Sequence, residues 1–137
     1  MQPSNQHFQA DFVEDVRRLL EAFAHSTPSV ILVVLTSADG FEIAVHPRGL
    51  PMAQRLAAMS SSLQALSEAM VGEAGLEGIR NLVIESNGGM VIVLGVGKLT
   101  PRLSLTVVTR GDETLGRLLW ASRECCEYLE RRLLVIG

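Results

Sequence analysis

The sequence predicts an α+β fold: an α/β/α sandwich around one five-stranded antiparallel sheet, in the order α-β-β-α-β-β-β-α. Three observations predict it. Five short runs are rich in Val, Ile and Leu, as strands are. Turn sequences too short for a crossover separate them into hairpins, which requires antiparallel pairing. The runs "VILVVLT", "MVIVLGVG" and "LSLTVVTR" are apolar nearly throughout, so helices must cover both faces of the sheet.

The elements follow in order. Phe8, Phe12, Val16, Leu19, Leu20 and Phe23 recur at helical spacing with charged residues between them, giving an amphipathic first helix. "HSTPS" ends it, because Pro28 disfavours helix at the residue before it. Val30–Thr36 reads as a strand covered on both sides, and Asp39-Gly40 as a hairpin turn. "FEIAVH" then alternates, with Phe41, Ile43 and Val45 on one side and Glu42, Ala44 and His46 on the other, as in an edge strand closed by Pro47. Pro51 opens a second helix that runs to about Ala74-Gly75. "IRNLVIES", the turn "NGG" and "MVIVLGVG" form the second hairpin, "KLTPR" is the next turn, and "LSLTVVTR" is the fifth strand. Asp112 is the expected N-cap of a last helix through Leu115, Leu118, Leu119, Ser122, Cys125, Cys126 and Leu129. No linker or repeat divides the chain, so residues 1–137 read as one domain with its core at about 8–132.

Composition narrows the function. A net charge of −3 argues against nucleic acid, whose phosphates need clustered cations. No apolar run has the length of a membrane span, and the polar start, "MQPSNQHFQADF", lacks the pattern of a secretion signal. Cys125 and Cys126 are adjacent, too few for a zinc cage and unable to join distant segments, which fits a reducing, cytoplasmic setting. His7, His25 and His46 stand apart with no ligand spacing, and Ser60–Ser62 lack the glycines of a nucleophile elbow. "GVGKLT" resembles a phosphate loop only superficially: Leu99 follows Lys98 where a hydroxyl is needed, and Ile92 holds the place of the first glycine. No cofactor, metal or catalytic role is expected, and the sequence assigns none to Trp120 or to the two cysteines.

The second helix is the unusual element. In "LAAMSSSLQALSEAM" only Glu68 is charged. Met52, Leu56, Met59, Leu63, Leu66 and Met70 form one stripe, expected to pack on the sheet. Beside it Ala58, Ser62, Ala65, Ala69 and Gly72 form a strip of small residues, extended by Ala57 and Ser61. A solvent-facing helix would use Glu and Lys there, so a contact surface is expected, with a second copy of the chain as its occupant. Leu82 and Ile84 lie in "IRNLVIES", an apolar strand that would invite edge-to-edge pairing at the sheet border.

The ordered pieces "PSVILVVLTSADGFEIA", "LAAMSSSLQALSEAM", "GIRNLVIESNGGMVIVLGVG" and "TRGDETLGRLLW" together resemble the Roadblock / dynein light chain family, in its bacterial branch. Ser29 departs from the Gly frequent in the family, and Thr114-Leu115-Gly116 from Asn-Leu-Gly. The resemblance implies a profilin-like sandwich that dimerises through the central helix and following strand. It implies a non-enzymatic regulator of a Ras-like small GTPase, one that stimulates hydrolysis by reshaping the GTPase's own loops. Carried onto this chain, it assigns Ala58, Ser62, Ala65, Ala69, Gly72, Leu82 and Ile84 to the dimer interface, and Gln54, Ala57, Ser61 and Glu68 to the GTPase. The rival readings are a scaffold of the same fold linking signalling or motor components, a small-molecule sensor, and an enzyme without recognisable machinery.

Overall fold

In the computed structural model, which describes residues 10–97 and 102–136, helix α1 spans Ala10–Ser26, strands β1 and β2 Val30–Thr36 and Glu42–His46, and helix α2 Met52–Glu73. Strands β3, β4 and β5 span Asn81–Ser86, Gly89–Val96 and Leu103–Arg110, and helix α3 spans Leu115–Ile136. The strands form one antiparallel sheet in the order β2-β1-β5-β4-β3, with β2 and β3 at its edges. This is the predicted architecture. Phe8, His7 and the Lys98–Thr100 part of the phosphate-loop lookalike lie outside the described residues.

One face of the sheet carries α1 and α3. Phe12, Val16, Leu20 and Phe23 of α1 meet Leu118, Cys125, Cys126 and Leu129 of α3 over Val33, Leu35, Ile92, Leu94, Leu105 and Val107. Arg132 of α3 pairs with Asp15 of α1 across the seam. The other face carries α2 alone, packed over β1, β2 and β5, with Leu32, Val34, Val45 and Ala53 as its small buried core.

Three expectations need correction. The methionine-rich stripe of α2 does not pack on the sheet: its buried residues are Ala53, Ala57 and Ser60, whereas Met59, Leu66 and Met70 are exposed. Alternation in β2 breaks at a register shift, Leu35 pairing with Ala44 but Thr36 with Glu42. An extra residue in one strand turns the following side chains over, so Ile43 joins the α1 side of the core and Val45 the α2 side. Asp112 is not the N-cap of α3. The helix starts three residues later, where the Thr114 carbonyl accepts from the Leu118 amide and the Glu113 carboxylate accepts from the Thr114 amide.

Candidate protein interface

Two side-chain bonds hold α2 on its polar footing. Ser60 Oγ lies 2.6 Å from Thr106 Oγ1, buried, and Ser104 Oγ donates to Gln64 Oε1 one helical turn further on. The sheet-facing row of α2 is therefore Ala53, Ala57, Ser60 and Gln64, small or hydrogen-bonding residues over a strand whose facing residues carry hydroxyls. On one flank Ser61 Oγ donates to the Ala38 carbonyl at 2.9 Å, tying α2 to the β1–β2 turn. Gly40, in the left-handed region at φ 92°, closes that turn so tightly that a Cβ there would lie 3.4 Å from Ser61 Cβ. Pro51 opens α2, and Gly75 with φ 78° ends it, the Leu76 amide donating back to the Val71 carbonyl.

The opposite flank of α2 looks toward β4 and β3. Register shows what lies there. Leu82 pairs with Val93 and Ile84 with Val91, and these pair in turn with Thr106 and Val108, which face α2. Leu82, Ile84, Val91 and Val93 thus share the α2 face, but α2 packs on β1, β2 and β5. Leu82 and Val91 are half-buried, and Ile84 is 47% exposed. On the helix side of the same trough Met59, Leu66 and Met70 are 64%, 60% and 64% exposed. Large apolar side chains are thus exposed both on α2 and on β3, the pattern seen where a surface is covered by a partner. At its far border, among the described residues, β3 pairs only with β4, leaving one edge of its backbone without a strand partner.

The predicted site residues divide between these surfaces. Leu82 and Ile84 stand at the open edge beside the methionine flank. Ala58, Ser62, Ala65, Ala69 and Gly72 are all exposed, and Ala58 approaches the β1–β2 turn on the other flank. Gln54 and Glu68 are exposed and Ser61 is half-buried. Ala57 cannot touch a partner, because it is wholly buried against the sheet. Sequence pattern places Met59, Leu66 and Met70 in the core, yet they are exposed. The signal that could have found them is the "S-x-T" of β5, whose hydroxyls require polar partners above them.

Catalytic chemistry has little to work with. Among the described residues no group of three His, Cys, Asp or Glu could hold a metal ion, and no helix is long and apolar enough to cross a membrane. Cys125 and Cys126 are buried free thiols. Burial pushes the Cys125 thiol up to about 12, and raises Cys126 too, with a contribution from its neighbour. A thiol held protonated is a poor nucleophile. On the other face of the sheet an open cleft of about 720 Å³ runs between α1 and α3, flanked by Trp120 and Tyr128.

The geometry agrees with comparisons to known proteins. The Roadblock/LC7 domain model matches residues 17–109, more than half of the chain. Myxococcus xanthus MglB superposes with a TM-score of 0.83 at 14% identity, covering 95% of this chain and 95% of that one. A Roadblock/LC7 domain from Streptomyces avermitilis gives 0.78 at 20% identity, with 86% of this chain and 97% of that one covered. Acanthamoeba castellanii profilin IA gives 0.52 at 14%, covering 85% and 97%, which bears out the profilin-like sandwich. No curated protein matches in sequence.

Proposed function

The chain belongs to the Roadblock/LC7 family, and from that premise we propose that it is a non-catalytic homodimeric regulator of a Ras-like small GTPase. The observation that carries the reading is the uncovered half of the α2 face. Two copies joined by antiparallel pairing of their β3 edges form one continuous sheet. Their α2 helices then lie side by side above the join, and each methionine flank faces the other.

This arrangement revises the assignment of the interface. Met59, Leu63, Leu66 and Met70 pack with Leu82 and Ile84 in the dimer, since they line the side of α2 nearest the free edge. The small-residue strip lies alongside, Ala58 and Ser62 lining one shallow depression with Met59, Leu63 and Leu66, and Ala58 also approaches the β1–β2 turn that Ser61 holds. That strip, with Gln54, Ser61 and Glu68, is the surface offered to the GTPase. Small side chains let a partner backbone approach closely and lose little entropy on burial. As the family resemblance implies, stimulation of hydrolysis acts on the GTPase's own loops; Arg55 is exposed on α2 one turn before Ala58. Free, buried cysteines support a reducing, cytoplasmic setting.

The test is direct. The purified protein is mixed with a Ras-like GTPase loaded with GDP or with a non-hydrolysable GTP analogue, and single-turnover hydrolysis is measured alongside. Binding that prefers the GTP state, with faster hydrolysis, supports the proposal. Equal binding to both states with unchanged hydrolysis assigns the scaffold reading, and no binding to either overturns the GTPase assignment.

A further inference from the structure

The face of α3 opposite the sheet carries a second pattern, which the α2/β3 surface does not use. Trp120 is 67% exposed and Tyr128 is 49% exposed, both on the rim of the α1–α3 cleft. The floor near them is small, Ala22, Gly116 and Ala121, and a Cβ on Gly116 would meet nothing within 4 Å. Glu113, Arg117 and Glu124 line the same cleft. A tryptophan ring this exposed is neither core nor cap, and aromatic rings with arginine beside them are characteristic anchors of protein contacts.

The spacing of residues along this face is symmetric about the midpoint between Trp120 and Ala121. When two copies of α3 run antiparallel with the two-fold axis between Trp120 and Ala121, Arg117 falls opposite Glu124 of the second copy. In the same register Trp120 falls on Ala121. Each match occurs twice by symmetry. The register joins cation to anion and large ring to small residue, with no like charges opposed between these pairs. Arg131 lies 4.7 Å over the Tyr128 ring, bracing it while its hydroxyl stays at the rim.

From this charge and shape complementarity we propose that the α3 face is a second isologous interface, occupied by another copy of this chain, with each Trp120 seated in the α1–α3 cleft of its mate. It lies on the opposite side of the sheet from the α2/β3 surface and is independent of it. Where both contacts form, they link dimers into a higher assembly.

Trp120 is the only tryptophan in the chain, so its emission reports this contact alone. Full-length protein is followed from low micromolar to near-millimolar concentration by tryptophan emission and by sedimentation. The expected result is a blue shift with rising concentration, in step with species larger than the α2/β3 dimer. In a Leu66→Asp background the same blue shift accompanies a monomer–dimer equilibrium, which separates this contact from the other. Arg117→Glu and Glu124→Arg each weaken association about tenfold or more, since each places like charges together twice. The double variant R117E/E124R restores it, because the reciprocal pair is rebuilt with its signs exchanged. All four positions of the two chains lie at the surface, and circular dichroism confirms the fold of each variant. Emission that does not change with concentration, or a double variant no stronger than the single ones, overturns the proposal.

Discussion

Replacing Leu66 by Asp separates the two flanks of α2. Leu66 is 60% exposed in the single chain, so the protomer's own core loses almost nothing by the change. In the proposed dimer that exposed portion is covered. Full burial of a leucine side chain is worth about 1.5–3 kcal/mol, so the covered 60% contributes about 1–2 kcal/mol in each protomer. The two-fold axis doubles it to about 2–4 kcal/mol for the dimer, and desolvation of an unpaired carboxylate adds about 1 kcal/mol or more on each side. The dimer dissociation constant should therefore rise more than about a hundredfold, each 1.4 kcal/mol being a factor of ten. Sedimentation velocity over a concentration series measures it, with far-UV circular dichroism as the check that L66D is folded. A Leu66→Asp protein that stays dimeric at wild-type concentrations would refute the placement of the methionine flank at the twofold. Ala65→Asp, the control one residue along on the small strip, leaves the dimer intact.

Other outcomes follow from specific contacts. Ala65→Arg abolishes capture of the GTPase without changing the protein's own mass, as read by co-purification and sedimentation. Ser60→Ala leaves Thr106 unpaired in a buried site and costs about 1–3 kcal/mol in urea unfolding, whereas the double variant with Thr106→Val comes back to within about 1 kcal/mol of wild type. Gly89→Ala is severely destabilising, about 3 kcal/mol or more, because its Cβ would sit 2.1 Å from the Thr109 carbonyl oxygen, part of the backbone. Gly95→Ala costs less than about 1 kcal/mol, because the nearest atoms its Cβ would meet are those of the Arg102 guanidinium, which can swing aside. The cysteines set an alkaline limit. Their folded pKa values are raised above the ordinary 9.0, so above that pH the unfolded chain releases protons that the folded chain keeps. Stability falls as pH climbs from about 9 toward 12, and Cys125→Ala/Cys126→Ala flattens that decline; an unchanged slope in the double variant would remove the thiols as its cause.

Most of the fold was legible in the sequence. Amphipathic spacing in α1 and α3, the Asp39-Gly40 and Asn87-Gly88 turns and the β-branched strands depend on local physics, and the structure follows them. What could not be read from local pattern was azimuth. A stripe of Met and Leu on α2 fits a buried face as well as a shared one, and hydrophobicity alone chose the first. The choice was decided by Ser104 and Thr106, distant in sequence, whose hydroxyls select Ser60 and Gln64 as the row that faces down. The bulge in β2 and the late start of α3 were hidden for a similar reason. Each rests on a pairing partner or a cap that several nearby residues could supply equally well. The edge position of β3, which holds Leu82 and Ile84, was legible because an apolar strand after a helix carries its own edge signal.

The two bonds between α2 and β5 have an effect out of proportion to their energy. Contact between methyl groups has no preferred direction, so a helix resting on oil alone can roll. A hydrogen bond does have one. Rolling α2 by a single residue, about 100° of arc, would tuck the methionines beneath the helix and part Ser60 from Thr106. The exposed surface of α2 would then be a different one. Ser60 and Gln64 thus govern what the protein shows to others, though Ser60 is hidden from all of them and Gln64 is half-hidden.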